Sequence, residues 1–174
     1  MDRIRLSLVT IALLAIALWI GGMVALGAIA APVVFGTVPA PTSADAMTIV
    51  FRRFDKLAIA CVVVVLAVEA ALALTAKVTR VDVARGVLAA IACVCVIVGG
   101  VFVSPRIEAL HRGGAIRGLG PDGLELESVH RIAERLGTVE LVIAGFLVAL
   151  YVFSVGRVSN ELRKKKFDEA HTPG

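Results

Sequence analysis

Four long apolar runs, separated by short polar segments, dominate the chain. Measured between flanking charges, they extend from Leu6 to about Ala31, from Leu57 to Ala76, from Gly86 to Pro105 and from Leu136 to Gly156. A helix needs about 20 apolar residues to cross a hydrocarbon core about 30 Å thick. Each run is long enough. The runs are uniformly apolar and rich in Ala and Leu rather than alternating, which predicts helices and excludes barrel strands. The expected fold is all-α, a polytopic membrane four-helix bundle forming one domain over residues 1–174, with a basic cytoplasmic tail over 157–174. Arg3, Arg5 and the Ala28-Ile29-Ala30 triplet imitate a secretion signal. The first run exceeds the roughly 7–15 residues of a signal core, so an uncleaved first span is expected.

The segments between the runs carry a second, amphipathic pattern. After a breaker run from Pro32 to Pro41, Met47, Val50, Phe51 and Phe54 share one helical face, with Ser43 as the expected N-cap and Asp45 in the first turn. This predicts a helical lead-in continuous with the second span. Between the third and fourth spans a Gly-rich stretch, Gly113 to Gly120, precedes Asp122 and Glu125, spaced as in a capping box. Val129, Ile132, Ala133 and Leu136 then hold one face, while Glu127/Arg131 and His130/Glu134 stand at i,i+4. The fourth helix is expected to begin near Leu124 and to project beyond the membrane. These extensions belong on the external side.

Composition agrees. Residues are 59% hydrophobic and 18% charged, and mean hydropathy is +0.92. That excludes a disordered chain, a disulfide-rich scaffold and an ordinary soluble enzyme. A single Asn and no Gln, beside abundant Ala and Arg, point to a GC-rich bacterial source. The net charge of +4 is not a nucleic-acid signal, because the basic residues lie between the apolar runs. Ten of the 18 Lys and Arg fall on the side of the termini, packed into the shorter segments. Both termini are therefore expected in the cytoplasm of a bacterial inner-membrane protein.

Ionisable groups inside a span are expensive and carry a functional hypothesis. Glu69 lies deep in the second span and Glu140 near the outer end of the fourth. For Glu69 the readings are a protonated acid bonded to a neighbouring helix, a proton or ion relay, or a lipid-facing group. The neutral acid is expected, pointing toward the first or third helix. For Glu140 an interfacial structural role is expected, within reach of water. Cys61, Cys93 and Cys95 read as small apolar filler. Cys93 and Cys95 stand about 200° apart on a helix and cannot share one metal. The sequence predicts no metal, no cofactor and no catalytic constellation.

Arg53, Arg106, Glu108, His130 and Glu134 form an external polar cluster by position, readable as a solvated rim or as a shallow pocket between the extensions. Trp19, Gly21, Gly22, Ala25 and Pro32 are the candidate packing positions of the first helix, since small residues let membrane helices approach. Arg163, Lys164, Lys165 and Lys166 form a juxtamembrane basic run suited to anionic lipid headgroups. The expected partners are the lipid bilayer, those headgroups, and a second copy or another membrane protein.

Leu18-Trp19-Ile20-Gly21-Gly22, closed by Ala31-Pro32-Val33-Val34-Phe35, resembles the opening of the transmembrane protein 205-like family of small four-helix membrane proteins. Arg53-Phe54, Ser104-Pro105-Arg106-Ile107-Glu108 and His130 extend the resemblance. It implies a four-helix membrane domain, a link in eukaryotic members to drug or platinum resistance, and no agreed activity. The expected function is thus a non-enzymatic membrane protein of unassigned role. The alternatives are a small proton-coupled transporter or metal or drug resistance factor using Glu69, and an accessory subunit of another membrane protein.

Overall fold

The computed structural model describes the backbone of residues 2–75 and 78–170 and the side chains of 3–74 and 78–156. Among the described residues, four rods are long and apolar enough to cross a membrane. The first joins α1 (Asp2–Val24), a π-helical segment (Ala25–Ala30) and α2 (Ala31–Thr37). The second is α3 (Thr42–Thr75). The third joins α4 (Arg80–Ile97), a second π-helical segment (Val98–Val103) and α5 (Ser104–Arg112). The fourth is α6 (Gly120–Ala170). Contacts run α1 to α3, α3 to α4, α4 to α6 and α6 back to α1, closing an up-and-down ring. One end of the bundle carries the start of α1 and the α3–α4 connection; the far end carries the other two connections.

The core positions follow helical periodicity on every rod. Val9, Ala12, Ile16 and Trp19 of α1 are buried, as are Ala58, Val62, Val65 and Leu72 of α3. Ala89, Ala92 and Val96 of α4 and Ala144, Leu147 and Tyr151 of α6 complete the interior. Intervening apolar residues such as Leu14, Val94 and Phe146 face outward at 60% exposure or more. An apolar exterior of this extent belongs in lipid.

The breaker run expected from Pro32 to Pro41 is shorter in the structure. The helix passes through Pro32 and ends at Thr37. Pro105 likewise interrupts nothing, since α5 continues to Arg112. Both prolines follow a six-residue π-helical segment. A proline lacks the N–H of the regular ladder, and its ring strikes the carbonyl four residues back. The wider π turn relieves this: the residue before each proline, Ala31 and Ser104, bonds five residues back, to Leu26 and Gly99.

The amphipathic lead-in is continuous with α3, but its buried face is narrower than the sequence suggests. Met47 is buried, whereas Val50 and Phe51 are exposed. Ser43 lies inside the first turn rather than capping it, because α3 already begins at Thr42. The fourth helix starts at Gly120, ahead of the expected Leu124, and passes Leu136 without a break. Glu125 closes no capping box. It turns to Arg106 Nε at 2.6 Å instead. The expected tail continues α6 to Ala170, while the side chains of Arg163, Lys164, Lys165 and Lys166 lie outside the described residues.

Candidate functional site: two buried polar layers

Glu69 occupies a core position one helical turn beyond Val65, and Arg85 a core position one turn before Ala89. Their elements therefore aim both side chains into the bundle. Arg85 Nε donates to Glu69 Oε1 at 2.7 Å and Nη2 to Oε2 at 3.1 Å, a bidentate pair. The Tyr151 hydroxyl donates to the same Glu69 Oε1. Arg85 Nη1 donates to Ser154 Oγ at 2.9 Å, and Nη2 stands 3.0 Å from Asp82 Oδ1. The guanidinium also lies 4.7 Å from the Tyr151 ring centroid.

Local sequence explains the position of Asp82. Thr79 caps α4, its hydroxyl accepting from the Asp82 N–H while the Asp82 carboxylate accepts from the Thr79 N–H. Asp82 also faces Arg5 of α1 at 3.8 Å. One guanidinium, 1% exposed, thus links α3, α4 and α6 directly and α1 through Asp82.

Two expectations are corrected here. Glu69 points toward the third rod as expected, but as one half of an ion pair rather than as a lone acid. Arg85, counted by sequence as a flank of the third span, is its partner. Burying a carboxylate alone costs far more than burying it with a matched guanidinium and a hydroxyl. Tyr151 and Ser154 also escaped the sequence reading, although they lie one turn and two turns beyond Leu147 on the buried face of α6.

The second layer lies toward the far end. Glu140 is 8% exposed, so its side chain lies inside the bundle. It stands eleven positions before Tyr151, about 16 Å along α6. Its neighbours are Asp55 of α3 and the Trp19 indole of α1. Trp19 is fully buried, and its Nε1 closes no hydrogen bond although it lies beside the Glu140 carboxylate. Asp55 Oδ2 is buried and equally unpartnered. The Ser104 hydroxyl and the Arg52 guanidinium are the polar neighbours of Asp55.

The second π-helical segment shapes this layer. A Cβ at Gly100 would stand 3.1 Å from Asp55 Cβ, so glycine lets α3 come close. Arg52 Nη1 donates to the Gly100 carbonyl at 2.9 Å, and its Nε pairs with Glu108 at 3.2 Å.

The remaining candidates are dispersed. Arg106 pairs with Glu125, Arg117 with Glu127 and Glu134, and His130 meets His111 edge to face at 5.8 Å. Arg53 is exposed. Arg117 thus bridges two acids of α6, and Glu108 pairs with both Arg52 and Arg112. In the first rod, Trp19 is buried and Gly22 faces the Phe54 ring. Gly21, Ala25 and Pro32 point out of the bundle. Cys61, Cys93 and Cys95 are free thiols, and among the described residues no group of His, Cys, Asp and Glu is arranged to hold a metal.

The model of a domain of unknown function, DUF4149, matches residues 14–115. The chain belongs to the DUF4149 family. The match covers most of the first rod, all of α3 and the third rod, and so includes Trp19, Asp55, Glu69 and Arg85. The α6 partners Glu140, Tyr151 and Ser154 lie beyond the DUF4149 match. Neither the curated proteins nor the solved structures contain a match to the chain.

Proposed function

We propose that this DUF4149 protein is a non-enzymatic, multi-pass protein of a bacterial inner membrane, with both termini cytoplasmic. Its role is that of an accessory or scaffolding subunit rather than a carrier working through Glu69. The observation behind this reading is the closure of the Glu69 layer. Both carboxylate oxygens face Arg85, Tyr151 adds a third donor, and Arg85 is held further by Ser154 and Asp82. A carrier group must release one partner to take up a proton or ion. Here release would strand a buried charge at a cost of several kcal/mol. Glu69 therefore fastens helices.

An accessory role draws support from the first rod, where Gly21 and Ala25 turn small side chains outward, as helix–helix contacts in lipid require. The resemblance to the transmembrane protein 205-like family fits the same architecture and adds no activity. The test compares native protein and Glu69→Gln in proteoliposomes and in thermal unfolding. A fastener predicts a lower midpoint for the variant and equal proton leak for both proteins. A normally stable Glu69→Gln that abolishes a proton flux carried by the native protein would overturn the reading.

A further inference from the structure

The outer polar layer differs from the inner one in the feature that matters for ligand binding, because its partners are incomplete. Glu140 and Asp55 are both acids, from α6 and α3, and they flank adjacent glycines of the third rod: a Cβ at Gly99 would stand 3.8 Å from Glu140 Oε1, and one at Gly100 3.1 Å from Asp55 Cβ. Asp55 has Arg52 and Ser104 beside it, and Arg52 is itself shared with Glu108 and the Gly100 carbonyl. Glu140 has the Trp19 indole N–H, which is fully buried, beside its carboxylate and not hydrogen-bonded. Asp55 Oδ2 is a buried acceptor with no donor. Among the described residues, Cys95 of α4 is a further titratable group close enough to interact with Glu140. On α6 itself, Glu134 and Arg135 are exposed.

Two carboxylates in a low-dielectric interior do not both ionise, and interacting acids titrate as a pair. The proton belongs on the acid with the weaker cationic support. That acid is Glu140, since Arg52 stands with Asp55. A protonated Glu140 then supplies a donor to a layer that holds a buried acceptor without one. The indole N–H remains directed at Glu140, where a carboxyl oxygen accepts in either state.

We infer that Asp55 and Glu140, with Trp19, form a proton-binding site in the far half of the bundle, one that holds a single proton on Glu140 at neutral pH. The ligand is the proton itself, gained and lost without any covalent change in the protein. This goes beyond the scaffolding role, and its failure would leave the Glu69–Arg85 argument untouched, because the two are read out on different residues.

The experiment uses the full chain in lipid nanodiscs, treated with the hydrophobic carbodiimide dicyclohexylcarbodiimide, which attacks protonated buried carboxyls. Adducts are located by mass spectrometry across a pH series. Glu140 should be modified at pH 7 at least tenfold more than the ion-paired Glu69, with modification falling as pH rises. In Asp55→Asn the neighbouring negative charge is gone, so the midpoint of Glu140 modification should move down by about one pH unit or more. Infrared spectra of the same samples should show a protonated carboxyl band at neutral pH that disappears in Glu140→Gln, with circular dichroism confirming that the variant remains helical. An unmodified Glu140 at pH 7, a midpoint unmoved in folded Asp55→Asn, or a carboxyl band that survives in Glu140→Gln would overturn the inference. Protection of Glu140 by sodium at fixed pH would also overturn it, in favour of a metal-cation site.

Discussion

Arg85 and Glu69, sixteen positions apart on consecutive rods, meet as a bidentate pair in the interior of the bundle, with the guanidinium 1% exposed. The consequence is energetic asymmetry. The intact pair repays much of its own desolvation, whereas either member alone does not. Arg85→Met should therefore destabilise by about 3–5 kcal/mol, because it strands the Glu69 carboxylate. The double variant Arg85→Met/Glu69→Leu should recover most of that loss, since apolar replacements of similar volume leave no charge behind. Reversible unfolding in mixed micelles measures both. A double variant as unstable as Arg85→Met alone would show that Ser154 and Asp82, not Glu69, carry the contribution of Arg85.

Tyr151→Phe probes the same layer more gently. It removes one hydroxyl that donates to Glu69 and keeps the ring under the guanidinium. A hydrogen bond to a charged group contributes about 1.5–3 kcal/mol. A loss in that range is expected, smaller than that of Arg85→Met, with secondary structure unchanged by circular dichroism. Tyr151→Leu should cost more, because it also removes the cation–π contact.

How much of this was legible in the sequence depended on whether the signal was local. The four spans were readable because each is a continuous apolar run. Glu69 and Glu140 stood out for the same reason, as charges inside such runs. Arg85 did not, since it sits at the end of a run and looks like a topological flank. A clue was nevertheless present: Arg85, Ala89, Ala92 and Val96 share one helical stripe, the stripe that faces the core. Asp55 carries no local mark of its buried layer, because the third rod's close approach at Gly100 depends on a π-helical segment, which no period in the sequence announces. The Gly99-Gly100 pair followed by Pro105 was its trace. Among the rim pairs, Glu127–Arg131 was legible from its i,i+4 spacing, whereas Arg106–Glu125 and Arg117–Glu127 depend on the path of the α5–α6 connection.

Topology gives a direct test of orientation. Reporter fusions at Thr42 and Gly118 should read external, and fusions at Thr79 and after Gly174 cytoplasmic, as the denser basic segments on the side of the termini require. A cytoplasmic reading at Gly118 would invert the assignment. It would also move the Asp55–Glu140 layer to the cytoplasmic half.

Two glycines separate packing inside the bundle from packing outside it. At Gly100 a Cβ would stand 3.1 Å from Asp55 Cβ and 3.4 Å from Ile59 Cδ1, so Gly100→Ala must push α3 away from the third rod. Overpacking of this kind costs about 1–3 kcal/mol, partly offset by the better helix propensity of alanine. Gly100→Ala should therefore lower stability and disturb the carboxyl layer, where Arg52 reads the Gly100 carbonyl. At Gly21 nothing lies within 4 Å of the added methyl. In an isolated bundle Gly21→Ala should be neutral or stabilising by up to about 1 kcal/mol, the propensity gain alone. The two variants measured side by side, in detergent and in native membranes, give a sharp reading. If Gly21→Ala is harmless in detergent yet weakens the protein's crosslinked assemblies in membranes, the small-residue face of the first rod is covered there by another helix. If it is harmless in both, the accessory role must rest on a different surface.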